Sequence, residues 1–374
     1  MKKKFLDIWT AQKIIEAARA YGESGFSSEK SICKQTAGGE LSRRELKNYT
    51  EKKLKKTIGY ASENSLFYKE KYRNIVDEEF YEKDGEAFIK KFRELPFTTA
   101  EDLRSRELDF LCVSPNEISR IVTLDTGGTT GSPKRIYFTE EDQQLTVDFF
   151  GNGMQLIVDN TDCVLILMPA RIPGSIGKLL AEGLHNFGVK TVDYGLPGFY
   201  PGKESDADCE IEKIINLIIR KGVTSAVALP THLRAIAKAA GERISLKSVL
   251  LSAEYVPDDD VKLFEDRFGC RVYEHYGMTE MGLGCAVSCG AGEGYHIRES
   301  DIYIEIIDPK TGAVIEDGSP GEIVFTTLTR RGMPFIRYRT GDFSSWIQEE
   351  CPCGSRLKRI TKVNDRKKIK GYIR

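Results

Sequence analysis

The sequence lacks long hydrophobic runs and has almost no net charge. Its 55 lysines and arginines nearly balance 56 aspartates and glutamates, so the formal charge is −1. This balance gives no electrostatic footprint for nucleic acid or a membrane surface, and we expect neither as a partner. The longest apolar stretches, such as residues 163–170, fall far short of the roughly 20 residues that a membrane-spanning helix needs. No apolar segment follows the basic residues 2–4, so no signal peptide is predicted.

A disulfide framework and a serine-triad motif are also missing. The nine cysteines are an odd number and lie scattered along 374 residues, which favours a reducing compartment and a cytoplasmic location. No Gly-x-Ser-x-Gly motif occurs. The composition is 40% hydrophobic and 30% charged, which is typical of a globular protein with a large core.

Hydrophobic patterning predicts an α/β fold. Helical spacing over residues 42–69 indicates an amphipathic helical layer near the N-terminus. Further along, strand-like runs at 163–168, 190–193, 226–229 and 248–252 alternate with helical stretches at about 177–187, 210–221 and 232–240. This alternation predicts βαβ units in a mostly parallel or mixed sheet flanked by helices.

Three segments follow from this patterning. Residues 301–347 contain strand-like runs separated by the turn sequences DPKTG and EDGSPGE, which predict a small antiparallel sheet or barrel. We therefore predict a helical layer over 1–120, an α/β core over 121–300 that binds ATP and the acyl group, and a small β subdomain over 301–374.

The sequence TGGTTGSPK at 126–134 has the chemistry of a loop that binds phosphate. Its glycines allow positive φ and close backbone approach, and its hydroxyls and Lys134 offer donors and charge. The glycine spacing excludes a Walker A loop, and a glycine-rich hairpin turn is the alternative. The loop residues concerned are Thr126, Gly127, Gly128, Thr129, Thr130 and Gly131.

Two shorter motifs follow in the sequence, YGMTE at 276–280 and YRTGD at 338–342. The hydroxyl of Thr279 and the carboxylate of Glu280 suit a site for Mg²⁺ and phosphate. The carboxylate of Asp342 can accept hydrogen bonds from both hydroxyls of a ribose. Each motif alone is weak, and a turn before a helix explains YGMTE equally well. The order and spacing of all three motifs, the loop at 126–134 included, are more specific than any one motif alone.

Together the three motifs resemble the adenylate-forming (AMP-dependent synthetase/ligase) superfamily, and most closely the phenylacetate–CoA ligase family. The chain is also similar to synthetases that adenylylate a deazaflavin coenzyme. Further similar stretches are ENSLFYKEKY, LPFTTAEDLR, SAEYVPDD and TTLTRRGMPFIRYRTGD, so the resemblance runs from about residue 50 to 366. One departure is Asp125-Thr126-Gly127, where the family usually begins the loop with Ser-Ser or Thr-Ser.

The resemblance implies a role for each motif. The loop at 126–134 would hold the β- and γ-phosphates, and Lys134, Thr279 and Glu280 would be catalytic, with Mg²⁺ beside the last two. Adenine would lie between Ala253-Glu254 and Tyr276-Gly277, and the ribose would contact Asp342 and Arg366. The acyl pocket would lie along 173–180 and near 231–232, which gives the acyl-binding residues Gly174, Ser175, Gly177 and His232.

The implied reaction is ATP-dependent activation of a carboxylic acid. An aryl or other small organic acid would become an acyl-adenylate with release of pyrophosphate, and coenzyme A would then accept the acyl group. Two alternatives remain, AMP transfer to a non-carboxylate coenzyme and a nucleotide- and zinc-binding protein without turnover. Family members continue into a C-terminal lid domain. We expect this domain to be absent from this chain, and a separate chain is a candidate to provide it.

A fourth pattern predicts structural zinc. Cys289 and His296, followed by Cys351 and Cys353 in a Cys-Pro-Cys-Gly turn, would supply three thiolates and one imidazole in a closed tetrahedral site. The alternatives are four unrelated residues, or Cys285 in place of Cys289. His275, directly before YGMTE, is predicted to be a structural histidine rather than a general base.

Overall fold

The computed structural model describes residues 7, 9–13, 42–124, 133–199 and 207–364. Its helices are α1 (Arg43–Asn64), α2 (Leu66–Tyr72), α3 (Glu78–Glu82), α4 (Gly85–Glu94), α5 (Ala100–Arg106), α6 (Glu140–Met154), α7 (Ile176–His185), α8 (Ala207–Lys221), α9 (Pro230–Ala240) and α10 (Asp258–Phe268). Across these described ranges, no helix combines the length and the apolar character needed to cross a membrane.

The strands alternate with these helices along the chain. They are β1 (Ile118–Leu124), β2 (Lys134–Thr139), β3 (Cys163–Leu167), β4 (Lys190–Asp193), β5 (Ser225–Ala228), β6 (Ser248–Leu251), β7 (Arg271–Tyr276), β8 (Ala286–Val287), β9 (Tyr295–Ile297), β10 (Ile302–Ile307), β11 (Gly321–Thr327), β12 (Tyr338–Ser344), β13 (Trp346–Ile347) and β14 (Arg359–Ile360). The predicted α/β fold, with a large mixed sheet flanked by helices and a small antiparallel sheet, is confirmed.

The chain forms two compact units. Of the described residues, those within 145–278 and 283–295 belong to unit one, and those up to 144, together with 279–282 and 296–364, belong to unit two. These units group the chain differently from the three predicted segments. Within unit two, the carboxylate of Asp142 accepts hydrogen bonds from the backbone N–H groups of Arg331 and Gly332 at 2.8 and 3.0 Å.

Unit one is built on a sheet with strand order β4–β3–β5–β6–β7–β8. The first five strands are parallel, and β8 runs antiparallel to β7. All four residues of β5 and of β6 are buried, as expected for parallel strands covered on both faces. The carboxyl ends of the parallel strands therefore share one edge, where α/β proteins commonly bind ligands.

Each face of this sheet packs against different helices. Ala226, Ala228 and Leu251 contribute to a hydrophobic core that includes Ile214 of α8 and Ile236 of α9. Both isoleucines are fully buried, and each such side chain stabilises the fold by about 1.5–3 kcal/mol. The alternate strand residues face the other way, toward α6 and α7.

Helices α6 and α7 approach closely at two glycines in unit one. A Cβ atom added to Gly183 would lie 2.7 Å from the carbonyl oxygen of Val147 and 2.8 Å from the backbone nitrogen of Gly151. A Cβ atom added to Gly151 would lie 2.7 Å from the carbonyl oxygen of Gly183. Only glycine at both positions allows the two backbones to pack at this distance.

Unit two combines helices α1–α5 with antiparallel strands. Strands β1 and β2 form one antiparallel pair, and β10–β11–β12 form a three-stranded sheet. An aromatic cluster fills part of the core, in which the rings of Phe67 and Phe110 stack with centroids 4.0 Å apart. Arg337 is 1% exposed and donates to both carboxylate oxygens of Glu305, so this buried charge is paired.

Two elements differ from their predicted extents. The helical layer expected over 42–69 consists there of two helices divided at Ser65, which adopts an extended conformation and accepts a hydrogen bond from Tyr68 N as the N-cap of α2. One of the strand-like runs expected within 301–347 is FIRYRT at 335–340, and the strand there begins later, at Tyr338. Arg337 has φ 49°, a left-handed conformation outside the extended range of regular strand residues.

Candidate active site

Residues of all three sequence motifs meet at Glu280 in unit two. Glu280 lies in a short 3₁₀ helix, Thr279–Met281, and its side chain is 1% exposed. Lys134, the first residue of β2, forms an ion pair with Oε1 of this carboxylate. The hydroxyl of Tyr338, the first residue of β12, donates to the same oxygen at 3.2 Å. The buried carboxylate of Glu280, in the second motif, therefore contacts one residue from each of the other two motifs.

The loop predicted to bind phosphate is only partly described. Thr126, Gly127, Gly128, Thr129, Thr130 and Gly131 lie outside the described residues. The strands that flank them, β1 and β2, pair antiparallel with Leu124 opposite Lys134. Lys134 is thus fixed at the base of the loop by the strand pairing as well as by its ion pair.

Asp342, the predicted ribose ligand, lies at a bulge in β12. The register between β11 and β12 shifts between Glu322 and Val324, and Gly341 has φ 73°. The backbone N–H of Gly341 donates to Glu322 Oε1 at 3.0 Å, and that of Asp342 donates to Thr340 Oγ1 at 2.9 Å. Bulges of this kind reorient a side chain beside a site. Arg366, the other predicted ribose contact, lies outside the described residues.

The predicted adenine residues follow neighbouring strands at one edge of the unit-one sheet. Ala253 is the second residue after β6 and has φ 70°, an uncommon left-handed conformation for a residue with a side chain. Glu254 Oε2 accepts hydrogen bonds from the Thr231 N–H and hydroxyl at 3.2 and 2.7 Å, and so caps α9. Tyr276 ends β7, the neighbour of β6. At Gly277, a Cβ atom would lie 2.9 Å from Leu283 O, so the turn requires glycine.

The predicted acyl segment begins α7. Gly174 has φ 69°, and Ser175 is the N-cap residue of the helix. Gly177 donates its backbone N–H to Pro169 O at 2.8 Å, and a Cβ there would meet that oxygen at 2.9 Å. These three residues shape the connection between β3 and α7.

A small apolar cavity lies beside this segment, entirely within unit one. Its volume is about 40 Å³. Ile176 and Leu180 of α7 contribute to its wall, so it coincides in part with the predicted acyl segment. The wall of the cavity also includes Phe149, Phe150, Met154, Met168, Leu250, Ser252 and His275.

His275 contributes the imidazole of this wall. Its Nδ1 lies 2.9 Å from Ser252 Oγ, whereas its buried Nε2 has no hydrogen-bond partner among the described residues. The rings of Phe149 and Phe150 flank it with centroids 6.1 and 6.3 Å away. Burial lowers the pKa of His275 to about 4, so the imidazole is neutral at neutral pH. The sequence alone did not identify His275, Ser252 or the two phenylalanines as pocket residues, and the available signal was the position of His275 before YGMTE.

His232, the remaining predicted acyl residue, is not part of the cavity wall. It lies in α9, and its Nε2 is 3.1 Å from Phe199 O. Its ring packs edge-on against Phe199 at a centroid distance of 5.1 Å. Burial lowers the pKa of His232 as well. Both Phe199 and the neighbouring Leu233 belong to the core on the face of the sheet that carries α8 and α9.

Three of the four predicted zinc ligands come together in unit two. His296, Cys351 and Cys353 are buried, and their ligand atoms lie within 4.8 Å of one another. Cys353 Sγ lies 3.3 Å from His296 Nε2. Gly354, with φ 78°, closes the turn by donating its N–H to Cys351 O at 2.9 Å. Cys289 precedes His296 in the chain and belongs to unit one.

Comparisons with known proteins agree with this fold and these motifs. A family model described as AMP-binding enzyme matches residues 113–328, more than half of the chain. The phenylacetate-coenzyme A ligase of Thermus thermophilus is 28% identical over 332 residues, covering 84% of this chain and 68% of the relative. The Escherichia coli phenylacetate-coenzyme A ligase is 27% identical over 339 residues, covering 86% of this chain and 72% of the relative.

A solved structure shows the same fold. It is a 2-hydroxyisobutyryl-CoA ligase in complex with 2-HIB-AMP and CoA, with a TM-score of 0.75 at 20% identity. The match covers 86% of this chain and 68% of that chain.

The chain belongs to the AMP-binding enzyme family. Its class of activity is ATP-dependent formation of an acyl-adenylate for acyl-CoA thioester synthesis, from a small carboxylic acid.

Proposed function

We propose that this chain activates a small aryl or other small organic acid with ATP and Mg²⁺, through Lys134, Thr279, Glu280 and Asp342, and transfers the acyl group to coenzyme A. The observation that carries these assignments is the contact of Lys134 and Tyr338 with the Glu280 carboxylate. The phenylacetate named for the relatives makes arylacetic acids the first class to test.

Glu280 and Thr279 fit a Mg²⁺–phosphate site. Lys134 and Tyr338 both contact Oε1 of Glu280, and within the described residues Oε2 accepts no hydrogen bond. That second oxygen and the adjacent Thr279 hydroxyl are hard oxygen ligands of the kind that Mg²⁺ prefers beside phosphates. The ion would neutralise phosphate charge. Lys134 would add a positive charge toward the outer phosphates, and Asp342 would accept hydrogen bonds from the ribose hydroxyls.

The reaction needs no protein nucleophile. A carboxylate oxygen of the acid attacks the α-phosphorus of ATP, the bond from that phosphorus to the bridging oxygen breaks, and pyrophosphate leaves. The thiolate of coenzyme A then attacks the acyl carbonyl and AMP leaves. Positioning and charge neutralisation dominate such steps, which matches a site made of one lysine, hydroxyls and carboxylates.

A pyrophosphate-release screen tests the proposal. Arylacetic, benzoic and short alkanoic acids are compared with and without coenzyme A, and products are identified by mass spectrometry. We expect acid-dependent pyrophosphate, and an acyl-CoA whenever coenzyme A is present. AMP linked to a non-carboxylate coenzyme without acid-dependent release would favour AMP transfer. ATP binding without either product would mean a non-catalytic protein.

We also propose that zinc is held by Cys289, His296, Cys351 and Cys353. Ligand atoms around tetrahedral zinc lie roughly 3.5 Å apart, given bond lengths of about 2.0–2.3 Å. The 3.3 Å between His296 Nε2 and Cys353 Sγ fits this spacing. Cys289, close before His296 in the chain, would be the fourth ligand, and four protein ligands imply a structural role.

Several predictions from the sequence stay predictions. These are the adenine contacts of Ala253, Glu254, Tyr276 and Gly277, the ribose contact of Arg366, and the acyl contacts of Gly174, Ser175, Gly177 and His232. Two further predictions are that a separate chain provides a lid domain and that the protein has a cytoplasmic location. Cross-linking to the phosphate chain of an azido-ATP analogue would test the loop residues 126–131.

A further inference from the structure

We propose that a second pocket, which lies entirely within unit two, binds a small organic anion with a flat apolar body. The anionic group would lie beside the ammonium groups of Lys358 and Lys90, and the apolar body would lie against the indole ring of Trp346. The wall of this unit-two pocket includes none of the residues proposed above to bind the nucleotide. A ligand there would therefore occupy a site separate from the one that the proposed function uses.

Two helices and an antiparallel sheet form the unit-two pocket. Each helix contributes residues spaced three, four and seven positions apart, from Arg43 to Thr50 in α1 and from Glu86 to Arg93 in α4, and this spacing puts each set on one helix face. The first three residues of β10 also line the pocket. Its volume is about 760 Å³, within the roughly 300–1,000 Å³ of small-molecule sites. The pocket therefore has room for a whole small molecule, unlike the apolar cavity of unit one.

The charged side chains of the unit-two pocket do not balance. Two arginines and three lysines line it, against three glutamates. Each glutamate lies within ion-pair distance of a different cation, in the pairs Arg43–Glu299, Arg93–Glu316 and Lys47–Glu86. Lys90 and Lys358 remain, and neither ammonium group has an ion-pair partner among the described residues. This excess of two positive charges favours an anionic ligand.

Lys358 is the cation best placed to hold that anion. Its backbone is fixed on both sides, because its N–H donates to Glu299 Oε2 at 2.7 Å and its carbonyl oxygen accepts from the Ile297 N–H at 2.9 Å. Its side chain is exposed and lines the pocket, with Nζ 4.9 Å from the ring centroid of Trp346. A ligand in the pocket can therefore reach this ammonium group. Although Lys358 keeps contact with solvent, desolvation by the surrounding walls lowers its pKa, and a neighbouring anion would offset that effect.

The pocket also offers apolar surface that an inorganic ion would not use. Trp346, Tyr303 and Ile89 line it and are half-buried, so each leaves part of its side chain open to a ligand. A flat aromatic body can stack on the indole while its charged group lies beside Lys358. Aromatic carboxylates and aromatic phosphates share this chemistry. The ligand class is therefore an aromatic anion, and the two head groups are compared directly below.

The two tryptophans of the chain allow a direct test by ¹⁹F NMR. Protein labelled with fluorotryptophan gives one signal for Trp346 in the pocket wall and one for Trp9, which is not part of that wall, and Trp346→Phe assigns them. The probes are naphthylacetate, naphthyl phosphate and the neutral naphthylacetamide. We expect at least one anion to shift the Trp346 signal saturably, with an affinity about 5-fold or more above that of the amide, while the Trp9 signal stays in place.

Two variants assign the preference for an anion to the lysines. Lys358→Met keeps an unbranched apolar stem against Trp346 but removes the charge, so it should weaken the anion by about 5- to 10-fold and leave the amide unchanged. Lys90→Met should weaken the anion as well, without affecting the amide. Lys262→Met is the matched control, because Lys262 is an exposed lysine on α10 of unit one, and it should keep the wild-type affinities.

The outcomes that contradict this inference are distinct from a failure of the proposed function. An unmoved Trp346 signal with all three probes, equal affinities for the anions and the amide, or an unchanged anion affinity in Lys358→Met each overturns it. If Lys358→Met does not fold, Lys90→Met decides, because an unchanged anion affinity there contradicts the charge argument. The test measures binding alone, so a chain that releases no pyrophosphate with any acid leaves its result valid.

Discussion

Glu280 illustrates how a single residue organises the nucleotide side of the site. Its carboxylate is almost fully buried and is balanced by one lysine and one tyrosine hydroxyl. A buried carboxylate is costly unless it is paired, so Lys134 has a structural role beside the binding role that we propose for it. Changes at Lys134 therefore need a readout that separates ligand affinity from folding.

Lys134→Ala should weaken ATP more than AMP, because the lost charge would meet the outer phosphates. A lost charge-assisted contact of about 1.5–3 kcal/mol corresponds to roughly 10- to 150-fold in ATP affinity. Calorimetry with both nucleotides measures this, and Asp342→Ala should weaken the two alike because both carry the ribose. Lys178→Ala is the control, since Lys178 forms an exposed ion pair with Asp193. Equal ATP affinity in wild type and Lys134→Ala contradicts the assignment.

His275 should make the free energy of unfolding depend on pH. Its pKa is about 4 in the folded protein and 6.5 ordinarily, so between these values the unfolded chain binds more protons. The contribution is fully present above pH 6.5 and is lost as the pH falls toward 4, by about 3 kcal/mol at most. Denaturant unfolding of wild type and His275→Gln at pH 7 and pH 4.5 isolates this residue. Parallel losses in both proteins would show that His275 is not the cause.

At the scale of elements, the crossing of α6 and α7 positions the apolar cavity of unit one. Gly151 and Gly183 let the two helices meet, and Met154 and Leu180 from the same helices contribute to the cavity wall. The width of the cavity thus depends on two residues that do not belong to its wall.

Gly183→Ala should destabilise the protein by about 1–3 kcal/mol, because its Cβ would overlap backbone atoms of α6. Gly59→Ala is the matched control. It also lies within a helix, α1, but its Cβ would meet only the Tyr81 hydroxyl at 3.5 Å. There we expect a gain of about 0.5–1 kcal/mol from helix propensity. Chemical denaturation measures both, and a tolerated Gly183→Ala would show that the helices can separate.

Elements were easier to predict from the sequence than their ends. The strand at 190–193 and the helices at 210–221 and 232–240 follow from apolar periodicity, which burial in unit one confirms. The division at Ser65 and the late start of β12 at Tyr338 depend on a local cap and on the left-handed Arg337, which periodicity does not encode.

The candidate site also has one part that could be predicted from the sequence and one part that could not. The meeting of Lys134, Glu280 and Tyr338 agrees with the order of the motifs along the chain. The cavity wall was harder to predict, because Phe149, Ser252 and His275 come from α6, the end of β6 and β7 and share no sequence pattern. Only the alternation of strand residues between the two faces of the sheet brings them together.

At the scale of the whole molecule, the residues with predicted roles are divided between the two units. Unit one contains the cavity and the predicted adenine residues, and unit two contains the Glu280 cluster, Asp342 and three predicted zinc ligands. The stability of the chain should therefore respond to metal as well as to nucleotide.

Protein purified without chelator should contain about one zinc per chain. Chelation should lower the melting temperature, because a metal that binds only the folded state stabilises it. Cys353→Ser should reduce both the zinc content and the melting temperature, whereas Cys209→Ser should change neither, since Cys209 is an exposed free cysteine. A metal-free protein with an unchanged melting temperature would show that these ligands bind no zinc.

The two methionines in the cavity wall have a consequence for how this enzyme could acquire new substrates. Met154 and Met168 are unbranched and adaptable, so substitutions there change the volume at little cost in packing. Under selection for a new acid, we expect substitutions at these two methionines to appear first and to change the size of the accepted molecule, and a mutational library of this wall should show that order.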